Sequence, residues 1–278
     1  YASCTRGFKP GGSNLTFGRE DVVSPIVVLP VFEEETIDAF EVGVKTDLVD
    51  GRVRLNGAAF FYTYDNLQYQ ATDPEVFQGG VGNIPESEIM GAELELGAFV
   101  TDSLIFDARL AWLDTEITSS HLALDNVESE AATNALLAQG ISLFSPEVEI
   151  ARASQIADVR GNELAKTPGF TANLALTYSN AIGSWGDFEG TVSYTHRGDF
   201  RHRIFNNPIT DEVDSYDTFD VMLRFSPTNA NWRVELIGRN LTDEDGINAR
   251  FTDVFGVGAT GDQFIPPRQL MARIGIDF

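Results

Sequence analysis

Apolar and polar residues alternate with a period of two along most of the chain, the pattern of strands with one oily and one polar face. Between 38 and 66, Phe40, Val42 and Val44 alternate with Glu41 and Lys45. After Val49-Asp50-Gly51, Val53 and Leu55 alternate with Arg52, Arg54 and Asn56. The pattern predicts ten strands, at 1–8, 36–48, 52–69, 84–99, 103–118, 167–179, 187–200, 214–226, 231–240 and 267–278. Helical spacing is confined to 127–139 and 146–157. The second stretch opens on Ser145-Pro146-Glu147, a capping serine followed by proline at the first helical position. Both lie inside one long connection and are expected to be loop helices.

Long and short connections alternate without exception. The segments 9–35, 70–83, 119–166, 201–213 and 241–266 are long; the turns at Val49-Asp50-Gly51, Thr101-Asp102, 180–186 and Pro227–Ala230 are short. Transmembrane barrels have this asymmetry, with short periplasmic turns and long extracellular loops. The apolar rows fit the same reading. Leu104, Phe106, Ala108, Leu110 and Trp112 oppose Asp107 and Arg109, and Phe170, Ala172, Leu174, Leu176 and Tyr178 oppose Thr171, Asn173 and Thr177. Five alternating positions span nine or ten residues, which suits a tilted crossing of a hydrocarbon core. An Arg or Lys facing lipid at mid-depth costs about 2–4 kcal/mol, so the charged rows are assigned to a wet lumen. Trp112, Tyr178, Phe188, Tyr194, Phe225, Trp232 and Phe278 gather near row ends, as interfacial girdles do. A soluble β-sandwich also alternates, but its strands are usually about five to six residues long.

Composition narrows the partners. Forty-two acidic residues against 19 Lys and Arg give a net charge of −23, which argues against nucleic acid. The one cysteine, Cys4, permits no internal disulfide, and no apolar run is long enough for a transmembrane helix. The chain opens on Tyr1-Ala2-Ser3, which already reads as mid-strand, and is expected to be a piece of a longer protein.

Several motifs, in order along the chain, resemble TonB-dependent outer-membrane receptors. They are YASCTRGFKPGGSN at 1–14, ETIDAFEVGVKTDLVDGRVRLNGAAFFYTYDNLQ at 35–68, IMGAELEL at 89–96, GRNLTDED at 238–245 and PPRQLMARIGIDF at 266–278. The resemblance implies that residues 1–278 form the C-terminal part of a 22-stranded barrel, all-β and antiparallel up-and-down, with the plug and earlier strands lying elsewhere. It implies no enzyme and no cofactor. It implies uptake of a scarce ligand, most plausibly a ferric siderophore, across the Gram-negative outer membrane. Lipid and lipopolysaccharide would surround the wall, and the TonB-ExbB-ExbD complex would act through the plug. The last strand departs from the family's assembly signal by carrying Arg273 where glycine is favoured. A passive porin and a secreted β-rich adhesin or lectin are the competing functional readings.

Candidate chemistry is sparse. GVGATG at 256–261 fits Gly-x-Gly-x-x-Gly but lies in a loop before Pro266-Pro267, outside the strand–helix setting a dinucleotide needs. His121, His196 and His202 have no partners at zinc-ligand spacing, and no nucleophile elbow or paired-acid motif stands out, so neither a metal nor a catalytic centre is expected. HRGDFRHR at 196–203 is the basic island of the chain. Arg197 on the lumen row, with Arg201 and Arg203 at the loop base, could hold an anionic chelate; pairing with nearby carboxylates or with lipopolysaccharide phosphates is the alternative. Tyr62, Tyr64 and Tyr69 climb one strand toward the same mouth and are candidate ligand contacts, or members of a girdle.

Overall fold

The computed structural model describes residues 1–14, 31–72, 79–253 and 259–276. Phe278, and Gly256 and Gly258 of the glycine-rich stretch, lie outside the described residues. All ten expected strands are present. They are β1 (Ala2–Lys9), β2 (Glu35–Leu48), β3 (Val53–Thr72), β4 (Gly79–Thr101) and β5 (Leu104–Ile117), then β6 (Phe170–Ala181), β7 (Gly186–Arg197), β8 (Tyr216–Pro227), β9 (Trp232–Arg239) and β10 (Gln269–Ile276). They pair antiparallel, each with its sequence neighbour, in a single ten-stranded sheet. β1 and β10 are its edges among the described residues.

Register settles the faces. Val42, Ala59, Ala92 and Trp112 stand side by side across four strands, as do Val44, Gly57, Leu94 and Leu110. The same face continues through Ala172 beside Leu110, then Leu176, Val192 and Val221 further along, and Leu223, Leu236 and Ala272. Instead of entering a core, this face is open: Phe40 is 62% exposed, Leu236 51% and Ile274 71%. A continuous apolar surface on this scale needs a nonaqueous neighbour. Along β6, Phe170 and Tyr178 bracket the row. Eight residues at about 3.4 Å each, tilted about 40°, give an apolar height of roughly 21 Å, close to the ~25 Å band of outer-membrane barrels. Rings pack at both margins: Tyr194 on Phe219 at 5.1 Å toward the long loops, and Tyr178 on Phe188 at 6.5 Å and Phe225 on Trp232 at 6.2 Å toward the short turns.

The opposite face is polar and cross-bonded. Asn56 Nδ2 donates to Glu95 at 3.2 Å and Asn173 Nδ2 to Thr195 at 2.9 Å. Glu235, buried on this face, accepts from Arg224 at 3.1 Å and Arg273 at 3.4 Å. Arg273 thus has a structural partner at the position where the family favours glycine.

The turn after β2 carries positive φ at Val49 (55°), Asp50 (53°) and Gly51 (82°). A β-branched residue at positive φ is unusual, and Arg52 N–H closes the turn on Val49 O at 3.0 Å. The expected loop helices form as α1 (Asn126–Leu137) and α2 (Pro146–Ala153), with Ser145 accepting from Val148 N–H.

β3 and β4 run to 20 and 23 residues, or about 65 and 75 Å at roughly 3.3 Å per residue. They therefore project far beyond a ~25 Å apolar band. In the projecting part the alternation slips. Asn66 adopts φ 57° opposite Pro85, so Tyr64 and Tyr69 both reach the lumen side despite their odd spacing. The buried cluster of the chain lies here, where Ile84 and Ile117 meet Ala123, Val159, Leu164 and Ile204 of the long loops.

Candidate ligand-binding site

Three long connections close over the end of the sheet away from the short turns. The first (118–169) holds α1, α2 and a small hairpin, Leu122–Leu124 with Ile156–Asp158. The second contains the pair Phe200–Arg201 and Glu212–Val213, the third the pair Ile247–Thr252 and Thr260–Phe264. Arg203 ties the first two together. Its Nη1 donates to Asp125 and its Nε to Asp211, both at 2.6 Å, while Asn126 Oδ1 and Thr210 Oγ1 accept at 3.2 Å. The three charged side chains are 9%, 8% and 0% exposed for Arg203, Asp125 and Asp211. Asp125 is at once the N-cap of α1, accepting from Val127 and Glu128 N–H. Asn126 Nδ2 donates to Asp253 O at 2.6 Å, and Arg250 Nη1 to Glu212 O at 2.9 Å, which brings in the third connection. Buried ionic groups with complete partners specify one arrangement of the elements that carry them. The three connections therefore form one cap.

Beneath the cap, against the projecting part of β3, is a cavity of about 410 Å³, a volume suited to a small ligand. Tyr64, Tyr69 and Arg203 line it; Tyr62, Arg197 and Arg201 are not among its lining residues. Tyr62 stacks on Phe60 lower on the lumen face, with ring centroids 4.7 Å apart. Arg197 sits on the lumen row between Thr171 and Tyr216, donates to Asn248 O at 2.6 Å and lies 4.4 Å over the Phe200 ring. Arg201 pairs with Glu212. All three arginines thus reach the loop base, each with an internal partner.

In and beside the cavity are polar contacts that the sequence does not predict. Tyr69 hydroxyl and His121 Nε2 share a 2.8 Å hydrogen bond with the rings edge to face. Burial raises the Tyr69 pKa, and burial lowers that of His121, with Asp158 partly opposing the change. His202, 4% exposed, joins Thr252 Oγ1 at 2.8 Å, and Thr252 continues to Thr260 at 2.9 Å. Desolvation holds the His202 pKa down at about 4, with Arg203, Arg250 and Lys166 adding to the effect and Asp211 opposing it. Both imidazoles are neutral near pH 7. His196 bonds instead to Asp217 on the outward row, so it and His202 build no shared site. Lys166, at φ 64°, also lines the cavity. No spacing rule points to Lys166, His121 or His202, because Lys166 and His121 stand at opposite ends of the first connection and His202 belongs to the second.

A sheet with one lipid-compatible face, a charged face and a loop cap over one end defines the wall of an outer-membrane β-barrel. The sequence model described as "TonB dependent receptor-like, beta-barrel" matches residues 1–241, and the chain belongs to that family. Among curated relatives, the probable TonB-dependent siderophore receptor PiuA of Acinetobacter baumannii is 24% identical over 265 residues, covering 94% of this chain and 30% of that receptor. The metal-pseudopaline receptor CntO of Pseudomonas aeruginosa is 27% identical over 118 residues, 42% of this chain and 15% of that protein. Among solved structures, the ferric yersiniabactin uptake receptor FyuA of Yersinia pestis superposes with a TM-score of 0.68 at 16% identity, covering 100% of this chain and 34% of that one. This chain spans about a third of the length of such receptors.

Proposed function

We propose that the protein carrying this chain is an outer-membrane receptor that takes up a ferric siderophore, with this stretch as the C-terminal part of its barrel. The cavity under the cap, at the end of a lipid-facing wall, carries the reading. Ligand enters from outside, rests against Tyr64 and Tyr69 beneath the cap, and passes inward when the TonB-ExbB-ExbD complex acts on a plug encoded before this stretch. The relatives named as siderophore and metallophore receptors support this substrate class. The chemistry needed is binding and release.

The test is uptake of radiolabelled iron, supplied as ferric siderophores of several classes, by iron-starved cells. Deleting the gene should abolish uptake of one class, complementation should restore it, and deleting TonB should abolish it again. Uptake that persists without TonB would point to passive diffusion and contradict the proposal.

A further inference from the structure

Recognition in the cavity depends on which polar side chains still have bonding capacity. Arg203 is committed to Asp125 and Asp211. Tyr69 is bonded to His121, and Gln68 Nε2 to the carbonyls of Pro10 and Glu33. Lys166 differs. Its backbone N–H donates to Arg201 O at 2.6 Å, which pins a left-handed residue (φ 64°) in place and fixes where its side chain starts. That side chain lines the cavity with no ion pair or hydrogen bond among the described residues. The Tyr64 hydroxyl and Gln70 amide are uncommitted in the same sense. The remaining wall is largely apolar, with Leu67, Leu164, Ile204, Phe205 and Phe251, and no carboxylate lines it among the described residues.

Resting on the uptake reading above, we infer that this cavity selects a metal chelate of low net charge, neutral or singly anionic, whose acidic group meets Lys166 while an apolar or aromatic body lies along Leu67 and Phe205. A charge brought into the cavity needs a partner, and Lys166, at the exposed rim of the cavity, supplies one. A trianionic chelate would bring further charges into a cavity whose other cation is already neutralised, in a chain of net charge −23. Tyr64 and Gln70 serve uncharged oxygens of the ligand.

Three probes separate the outcomes on the full-length receptor: a neutral ferric trihydroxamate, the same chelate bearing one carboxylate, and the trianionic iron complex of three dihydroxybenzamides. The two low-charge probes should bind at least about tenfold more tightly than the trianion, whose surplus charges find no partner in the cavity. Lys166→Asn keeps a residue that tolerates left-handed φ and removes the cation. It should weaken the monoanion about tenfold and leave the neutral probe unchanged, and Lys166→Arg should retain the monoanion. Equal or tighter binding of the trianion, or a monoanion indifferent to Lys166→Asn, would overturn the charge selection alone. Saturable binding of none of the three would overturn the uptake reading and this inference with it.

Discussion

Replacing Arg203 with alanine should loosen the cap without dismantling the wall. The change removes two 2.6 Å charge-assisted bonds and strands two carboxylates, Asp125 and Asp211, that are 8% and 0% exposed. Each such bond contributes about 1.5–3 kcal/mol, and breaking a buried pair typically costs about 3–5 kcal/mol. The loss falls on local opening of the 118–169 connection, because the ten-stranded sheet makes none of these contacts. Hydrogen exchange followed by mass spectrometry on the full-length receptor reads that opening directly. At about 1.4 kcal/mol per tenfold, peptides from α1 and the 156–158 strand should exchange roughly a hundredfold to a few thousandfold faster, with β6 and β7 unchanged. Arg203→Met combined with Asp125→Asn and Asp211→Asn removes the stranded charges and should recover part of the protection. Exchange in α1 within about threefold of the parent would refute the claim that this triad holds the cap.

Three further outcomes follow from the same geometry. Leu94→Arg puts a charge in the outward row beside Leu110 and should cost about 2–4 kcal/mol of membrane-embedded stability, whereas Glu93→Ala on the lumen face should be tolerated; heat-modifiable mobility on gels compares them, and equal tolerance would reverse the facing assignment. His202, held down at about 4 against 6.5 in the unfolded chain, stabilises the cap fully above pH 6.5 and loses that contribution as the pH falls toward 4, because the unfolded state takes the proton first; exchange in 200–213 should rise across that window, and His202→Gln should flatten the slope. Asn66→Val, which forces a β-branched residue into φ 57°, should shift the slip between Tyr64 and Tyr69 and cost about 1–3 kcal/mol, seen as loss of protection around Ile84.

The wall was legible in the sequence because the outward row of each strand faces lipid and not a protein core. Val42 faces lipid whatever its neighbours are, so alternation alone assigns it, and tight turns such as 49–51 then force neighbouring strands to pair. All ten strands and both loop helices follow from local pattern. At the projecting ends of β3 and β4 only 70–72 and 79–83 fell outside the expected strands, because these residues leave the bilayer and Gly79, Gly80 and Gly82 carry no side-chain pattern. The site was only partly visible. Tyr64, Tyr69 and Arg203 do meet at one cavity, yet Arg203 and Asp125 are 78 residues apart, and loop-to-loop pairing of that range leaves no periodic trace. The same holds for Tyr69 with His121 and His202 with Thr252.

Filling the cavity tests the central claim most directly. Gln70 lines it from an exposed position on β3, so Gln70→Trp occupies ligand space without disturbing the buried cluster. Iron uptake is then measured in cells displaying equal amounts of parent and variant receptor, with the heat-modifiable barrel as the folding control. The account predicts a fall of at least about tenfold in uptake of the cognate chelate; undiminished uptake through a filled cavity would contradict it.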